Sequence, residues 1–160
     1  MKIGIVAVGR LKAGPERALA DRYAERLVQS GRALSLTGPA LTEISESAAR
    51  SPAERKKQEA DSILAALDSE TILIALDERG RILGSEAFAA RIAHWRDSGR
   101  KSVTFVIGGA DGLGDAVLAS AQETLSFGAM TMPHQLVRIL LLEQIYRAAT
   151  ILSGHPYHRP

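Results

Sequence analysis

Apolar residues along the chain form two patterns: short unbroken runs, and stretches in which they recur three or four positions apart. Short apolar runs are typical of buried strands. They lie at residues 2–8, 71–76, 103–107 and 125–127. A further short strand is expected at 34–37, ended by Gly38 and Pro39, with a loop over 42–50. The recurring pattern predicts helices at 15–31, 51–67, 85–97, 115–121 and 136–152.

Two of these helices have clear local start signals. Pro15 suits the first position of a helix, and Ser51 and Glu54 have the spacing of a capping box. Strands that alternate with helices predict an α/β fold with a mainly parallel sheet and helices on both faces. A length of 160 residues suits a single domain, which we expect to span residues 1–160.

Composition excludes several classes of site. The chain has no cysteine, so it forms no disulfide, thiolate metal centre or thiol nucleophile. Its 20 Lys and Arg residues against 18 Asp and Glu leave a net charge of +2, which by itself does not indicate nucleic acid binding. No apolar run is long enough to cross a bilayer, and the apolar start is too short for a signal peptide. We therefore expect a cytoplasmic protein without a membrane partner.

The loops that follow the buried strands are the first candidates for a binding site. Ligands of parallel sheets bind beyond the carboxyl ends of the strands, which here are near residues 76, 107 and 127. Gly109, Gly112 and Gly114 would let a ligand approach the backbone, although a simple connecting turn explains them equally well. Their order is the reverse of the dinucleotide fingerprint and lies late in the chain, which weakens a nicotinamide interpretation. Residues 128–134 could wrap a flat apolar ligand or form an ordinary core loop.

The last third of the chain combines an apolar helix with an unusual tail. The helix at 136–152 is apolar over most of its circumference, so it is central in the fold or forms a homo-oligomer interface. Arg138 and Arg147 on it need anionic partners, either phosphates or nearby carboxylates. His155, Tyr157, His158 and Arg159 crowd into five residues, as a solvated tail or as one that orders on RNA. Without carboxylates nearby, a metal site there is disfavoured.

Several segments together resemble a known family, the RlmH family of SPOUT-class 23S rRNA pseudouridine N3-methyltransferases. The matching segments are IGGADGL at 107–113, PHQLVR at 133–138, EQIYRA at 143–148 and HPYHR at 155–159, with VAVGRLK at 6–12, LDERG at 76–80 and the pair Ser85 and Glu86. The resemblance covers the whole chain. One departure is Ala110–Asp111, where the family often has Pro–Glu, so an acidic residue is kept and the proline is lost.

The resemblance implies a SPOUT fold with a C-terminal trefoil knot, with the knot and the cofactor site in about residues 70–160. It implies a homodimer that binds S-adenosyl-L-methionine and methylates nitrogen 3 of a pseudouridine in 23S rRNA of the assembled ribosome, with no metal. The residues that it places at the cofactor are Leu76, Gly109, Gly128, Ala129, Met130, Thr131, Met132 and Pro133.

The catalytic candidates follow from the chemistry of methyl transfer. The target nitrogen carries a proton that must leave, so His158 and His155 are candidates to accept it. Tyr157 would stack on the base, and Arg138 would hold phosphate or stabilise the anion. Arg147 would share the role of Arg138. Further cationic candidates for RNA contact, which could equally form a solvated helix face or loop, are Arg10, Lys12, Arg55, Lys56 and Lys57. Two alternatives are a non-enzymatic ribosome-binding factor and a Rossmann-type nucleotide-binding enzyme.

Overall fold

A computed structural model describes residues 1–159 of the chain. Its strands are β1 (Lys2–Val8), β2 (Thr37–Ile44), β3 (Thr71–Ile82), β4 (Ser102–Ile107) and β5 (Glu123–Ser126). Its helices are α1 (Pro15–Gly31), α2 (Pro52–Ala65), α3 (Ser85–Asp97), α4 (Asp115–Ser120) and α5 (His134–Ser153), with a 3-10 turn at Arg32–Leu34. The strands form one sheet in the order β2-β1-β4-β3-β5, and every neighbouring pair is parallel. The predicted α/β fold class is confirmed.

The sheet is covered on both faces because its strands are apolar on both sides. Ile3 and Ile5 of β1 pack into a core with α1, α3 and α5. Val6 and Val8 of the same strand pack into a second core with α2 and α4. Strands buried on both faces are expected to be continuously apolar, as β1, β4 and the first part of β3 are.

Strand β2 differs from its prediction. The expected strand at 34–37 was to end at Gly38 and Pro39, but β2 begins at Thr37 and runs through both residues. Within residues 1–159 only β1 pairs with it, so it is an edge strand, where proline is tolerated because one side makes no ladder hydrogen bonds. Its register shifts between the Lys2–Thr37 and Gly4–Ala40 pairs, next to the proline. The pattern missed β2 because most of its side chains are exposed or half-buried.

Helix α5 lies mainly inside the fold. It packs on α1 and α3, and its buried residues include Leu141, Leu142 and Ile145. Two large apolar side chains remain at the surface, Leu136 at 47% exposure and Leu140 at 38%. Most of the apolar surface of α5 is therefore buried in the core of this chain, and Leu136 and Leu140 form a narrow apolar strip that stays exposed.

Arg138 of α5 forms a buried ion pair with Glu43 of β2. The guanidinium is fully buried and donates from Nη1 to Glu43 Oε1 at 2.6 Å and from Nη2 to the carbonyl of Gly9 at 2.8 Å. Glu43 Oε1 also accepts the Leu11 N–H at 3.0 Å and a bond from Arg17. Burial lowers the pKa of Arg138. Burial alone would raise the pKa of Glu43, but these donors together hold it below its usual range.

This pKa predicts how stability depends on pH. Because the pKa of Glu43 is lower in the folded chain, the carboxylate stabilises the fold above the unfolded value of about 4.3, and this contribution is lost as pH falls through the folded pKa. Glu43→Gln should lower the free energy of unfolding by about 1–3 kcal/mol at pH 7. Urea denaturation should show the difference from wild type shrinking below about pH 4.

The matched control for this prediction is Asp97→Asn. Asp97 pairs with Arg96 at 2.7 Å, but its side chain is 65% exposed. Ion pairs this exposed contribute little to stability, so this variant should stay close to wild type at pH 7. Equal losses in the two variants, or a Glu43→Gln loss that does not change with pH, would contradict the assignment.

Candidate functional site

A cleft of about 810 Å³ lies at the carboxyl edge of the sheet. Parallel strands end at the same edge, so the chain segments that leave it are brought together there. Three segments form most of the wall: residues 76–79 of β3, 107–113 at and after the end of β4, and 125–128 with 130–134 at and after β5. Lys56 of α2 and Val137 of α5 complete it.

The glycine-rich segment after β4 forms a tight turn. Gly112 donates its N–H to the carbonyl of Gly109 at 3.0 Å and has φ +82°, a conformation that favours glycine. A β-carbon on Gly109 would lie 3.0 Å from Val8 Cγ1 and 3.1 Å from Glu59 Oε2. The space at Gly109 is therefore limited by Val8 and Glu59 of the protein itself.

An ion pair ties this turn to α2. Arg55 donates from Nε to Asp111 Oδ2 at 2.6 Å and from Nη2 to Oδ1 at 3.0 Å, and it also bonds the carbonyl of Ala49. The guanidinium lowers the pKa of Asp111. Arg55, expected on an outer face as an RNA contact, instead holds the acidic residue of the glycine loop. Asp111, which stands where the family often has Glu, thus has a structural partner in Arg55 that sequence reasoning missed.

Strand β3 contributes a bulge to the cleft. Leu76 and Arg81 both pair with Leu125 of β5, so the residues between them loop out of the sheet. Gly80 lies so close to Leu125 that a β-carbon would come within 2.5 Å of its carbonyl carbon. The bulge places Asp77 in the cleft, where a hydrogen bond from Arg79 Nε at 2.8 Å lowers the pKa of the carboxyl.

The segment after β5 forms the third wall. Ser126 Oγ donates to the carbonyl of Gly128 at 2.9 Å and accepts its N–H at 3.0 Å, which closes a turn, and Gly128 has φ +135°. Beyond this turn the wall continues to His134, the first residue of α5. Sequence reasoning included His134 only as the end of the 128–134 segment, gave it no chemical role, and began the following helix at residue 136.

The cleft brings together most of the residues that the resemblance placed at a cofactor. Those that line it are Leu76, Gly109, Gly128, Met130, Thr131, Met132 and Pro133. Ala129 is exposed and does not line it. Arg138 does not line it either, and its burial with Glu43 favours the structural ion pair over a phosphate contact.

The tail folds back on α5 of its own chain. Tyr157 donates its hydroxyl to Glu143 Oε1 at 3.0 Å, and its ring packs 4.7 Å from that of Tyr146 and 4.9 Å from the guanidinium of Arg147. Burial is the largest cause of a pKa of Tyr157 far above its usual range. Arg147 also bonds Glu143 at 2.6 Å, so its anionic partner is a carboxylate of α5.

The two tail histidines lie outside the cleft. His155 caps α5 through its backbone, donating its N–H to the carbonyl of Thr150 at 2.9 Å. His158 Nε2 lies 3.7 Å from a carboxylate oxygen of Glu86 on α3. Neither residue lines the cleft of its own chain, and Tyr157 does not line it either.

Two further findings concern the described part of the chain. Within residues 1–159, no three metal-ligating side chains of the His, Cys, Asp and Glu types lie together. The helices of that same range include none with the length and hydropathy needed to cross a membrane.

Comparison with known proteins gives the family. A family model described as predicted SPOUT methyltransferase matches residues 1–158. The chain belongs to the SPOUT methyltransferase family. It is similar over nearly its whole length to two proteins named ribosomal RNA large subunit methyltransferase H. The one from Bradyrhizobium diazoefficiens is 53% identical, with 99% of this chain and 99% of that protein covered. The one from Methylorubrum populi is 56% identical, with 99% of this chain and 97% of that protein covered.

Solved structures of this methyltransferase family's fold also match. A probable methylase family protein from Haemophilus influenzae has a TM-score of 0.54 at 14% identity, covering 99% of this chain and 70% of that one. A probable methyltransferase from Bordetella pertussis has a TM-score of 0.53 at 16% identity, covering 92% and 95%. The resemblance to RlmH and the assignment as a methyltransferase are confirmed. The C-terminal knot and the 1–160 domain boundary stay predictions.

The Arg55–Asp111 pair predicts the mobility of the glycine turn. Asp111→Ala removes both bonds to Arg55, so the backbone amides of residues 108–113 should exchange with deuterium about ten-fold faster. Global stability should change little, because the pair is partly exposed and exposed ion pairs contribute little to folding. Asp115→Ala, at an exposed position at the start of α4, should leave exchange in the turn unchanged. Equal exchange in both variants would show that the ion pair does not hold the turn.

Proposed function

We propose that the chain transfers the methyl group of S-adenosyl-L-methionine to nitrogen 3 of a pseudouridine in 23S rRNA, acting on the assembled ribosome in the cytoplasm. The observation that carries this proposal is the identity above 50%, over nearly the full length, to proteins named ribosomal RNA large subunit methyltransferase H. The cleft supports this proposal, because seven of the eight residues that the resemblance places at the cofactor line it.

The cleft has the size and chemistry to hold S-adenosylmethionine. Its volume of about 810 Å³ is within the usual range for small-molecule sites. Leu76, Met132 and Val137 offer apolar contacts for a flat ring, and the Gly108–Gly112 backbone lines the same cleft and offers polar groups. The carboxylates of Asp77 and Glu78 suit hydroxyl or ammonium groups of the ligand. When bound, its sulfonium supplies an electrophilic methyl group.

The chain then has three tasks in the reaction. It must align the target nitrogen with the methyl group, which can contribute about 7–11 kcal/mol, and it must keep water out. It must also accept the proton of the nitrogen. Lys56 and Arg79 at the cleft, with Arg10, Lys12 and Lys57, would contact RNA phosphates.

The tail is proposed to contact the RNA near the cleft. His155, Tyr157 and His158 supply two imidazoles and a phenol, which suit base stacking and hydrogen bonding. In its own chain the tail is docked on Glu143 and lies outside the cleft. Its contact with a bound nucleotide therefore requires either a tail released from Glu143 or the tail of a second copy of the chain.

We further propose that the chain is a homodimer. Three of the large apolar side chains at the surface lie at or next to the cleft: Met130 lines it, and Ile82 and Leu140 line an adjacent apolar pocket of about 420 Å³. Leu136 lies one helical turn before Leu140 on α5. A second copy packed on this strip would cover surface that is costly to expose to water.

The experiment that tests the assignment is a labelled-methyl assay on whole ribosomes, separate subunits and free rRNA. We expect label from S-adenosylmethionine in 23S rRNA of assembled particles, and methylpseudouridine after nuclease digestion. Label in protein only, or in another nucleoside, would contradict the proposed substrate.

The cleft assignment predicts which substitutions weaken cofactor binding. Thr131→Trp puts a large side chain at a residue of the cleft wall, so calorimetry should show at least ten-fold weaker binding of S-adenosylmethionine. Ala129→Trp changes the same exposed loop at a residue outside the wall and should bind within about two-fold of wild type. NAD should bind neither to wild type nor to either variant. Equal affinities for the two variants would place the cofactor elsewhere.

The dimer assignment predicts a change in mass. Light scattering should give wild type about twice the chain mass of 17.1 kDa, and the Leu136→Glu, Leu140→Glu double variant should be a folded monomer. Leu41→Glu, at an apolar residue of β2 with 40% exposure, should remain dimeric. A monomeric wild type, or a double variant that stays dimeric, would refute the interface.

A further inference from the structure

His134 is a titratable residue of the cleft that the preceding assignments leave without a role. All four histidines of the chain lie within the described residues, and His134 is the one that lines the cleft. His94 is exposed on α3, while His155 and His158 belong to the tail. An imidazole in a cleft that must receive a proton is a candidate base, because a neutral ring has one nitrogen with a free lone pair that can accept it.

The imidazole ring of His134 packs against the backbone of Gly9. A β-carbon on Gly9 would lie 3.0 Å from His134 Nε2, so the imidazole packs directly on the backbone at the end of β1. Gly9 has φ +84°, and its carbonyl accepts the 2.8 Å bond from buried Arg138. The Arg138–Glu43 pair therefore fixes the surface on which the imidazole rests, although Arg138 itself does not reach the cleft.

A carboxylate stands beside the ring. Glu46 Oε1 lies 3.9 Å from His134 Nε2, a distance that suits an ion pair with a protonated imidazole and exceeds that of a hydrogen bond. Of the other elements around His134, the loop after β1 contributes the backbone of Gly9, and α5 contributes Arg138, whose charge is matched by Glu43. The remaining charged groups of the cleft wall are Lys56, Asp77, Glu78, Arg79 and Asp111.

We propose that His134 is the proton acceptor for the target nitrogen, and that Glu46 is a positioning residue which stabilises the resulting imidazolium. This proposal rests on the proposed function. With one proton on Nε2 toward Glu46, Nδ1 has a lone pair for a second. The nitrogen–hydrogen bond of the base breaks, its proton goes to Nδ1, and its electron pair stays on nitrogen. Nitrogen then bonds the methyl carbon as the carbon–sulfur bond breaks, leaving that pair on sulfur, and the imidazolium returns its proton to water.

The test compares single histidine variants on ribosomal particles at saturating S-adenosylmethionine. His134→Ala and His134→Asn should lower the rate of methyl transfer by about 10²–10⁴-fold. Added imidazole should restore part of the His134→Ala rate, a recovery that a merely structural role would not produce. Calorimetric affinity for S-adenosylmethionine should stay within a few-fold of wild type in both variants. His94→Ala is the matched control and should react at the wild-type rate.

Glu46→Gln tests the positioning role separately. Without the carboxylate the imidazolium is less favoured, so the acid limb of the pH–rate profile should move to lower pH, with a rate loss of about ten-fold or less. An unchanged acid limb would remove Glu46 from the proposal.

The outcomes separate this inference from the function on which it rests. No transfer by wild type would refute the proposed function. An active wild type together with a His134→Ala rate within a few-fold of it would refute only the base. Imidazole rescue of His158→Ala or His155→Ala, with none for His134→Ala, would assign the proton to the tail instead.

Discussion

Five parallel strands end at one edge of the sheet, and the three segments that form most of the cleft wall lie at that edge or leave it. The bulge of β3, the glycine turn after β4 and the segment after β5 are distant in sequence, but the pairing of β3 with both β4 and β5 makes them neighbours. Parallel pairing buries both faces of the strands and leaves the strand ends as the place where polar backbone can meet a ligand.

The buried ion pair of Arg138 and Glu43 adds a second constraint on the same edge. Through its hydrogen bonds, Arg138 joins α5 to Glu43 of the edge strand β2 and to Gly9 at the end of β1. A buried pair contributes little net stability, but removing one partner leaves an uncompensated charge. Because Arg138 bonds the carbonyl of Gly9, and His134 packs on Gly9, the pair helps to position the start of α5 against the end of β1.

The strength of a local signal decided what the sequence could predict. Continuously apolar runs located β1, β4 and the first part of β3, and Ser51 accepts the Glu54 N–H as the capping box requires. Exposed β2 has no such run. The burial of Arg138 depends on a carboxylate 95 residues away, which no local pattern reveals. Seven of the residues predicted at the cofactor line one cleft. The position of Tyr157 is set by its contacts with Glu143 and Tyr146 in the folded chain, which no local pattern predicts.

The central claim is that this cleft holds the methyl donor. Hydrogen exchange of the whole chain with and without S-adenosylmethionine tests it most directly, because binding protects the backbone amides that the ligand covers or orders. The account predicts slower exchange in residues 76–80, 107–113 and 126–134 together, and unchanged exchange in Thr37–Ile44 of β2. Protection that misses all three segments, or that appears only elsewhere in the chain, would contradict it.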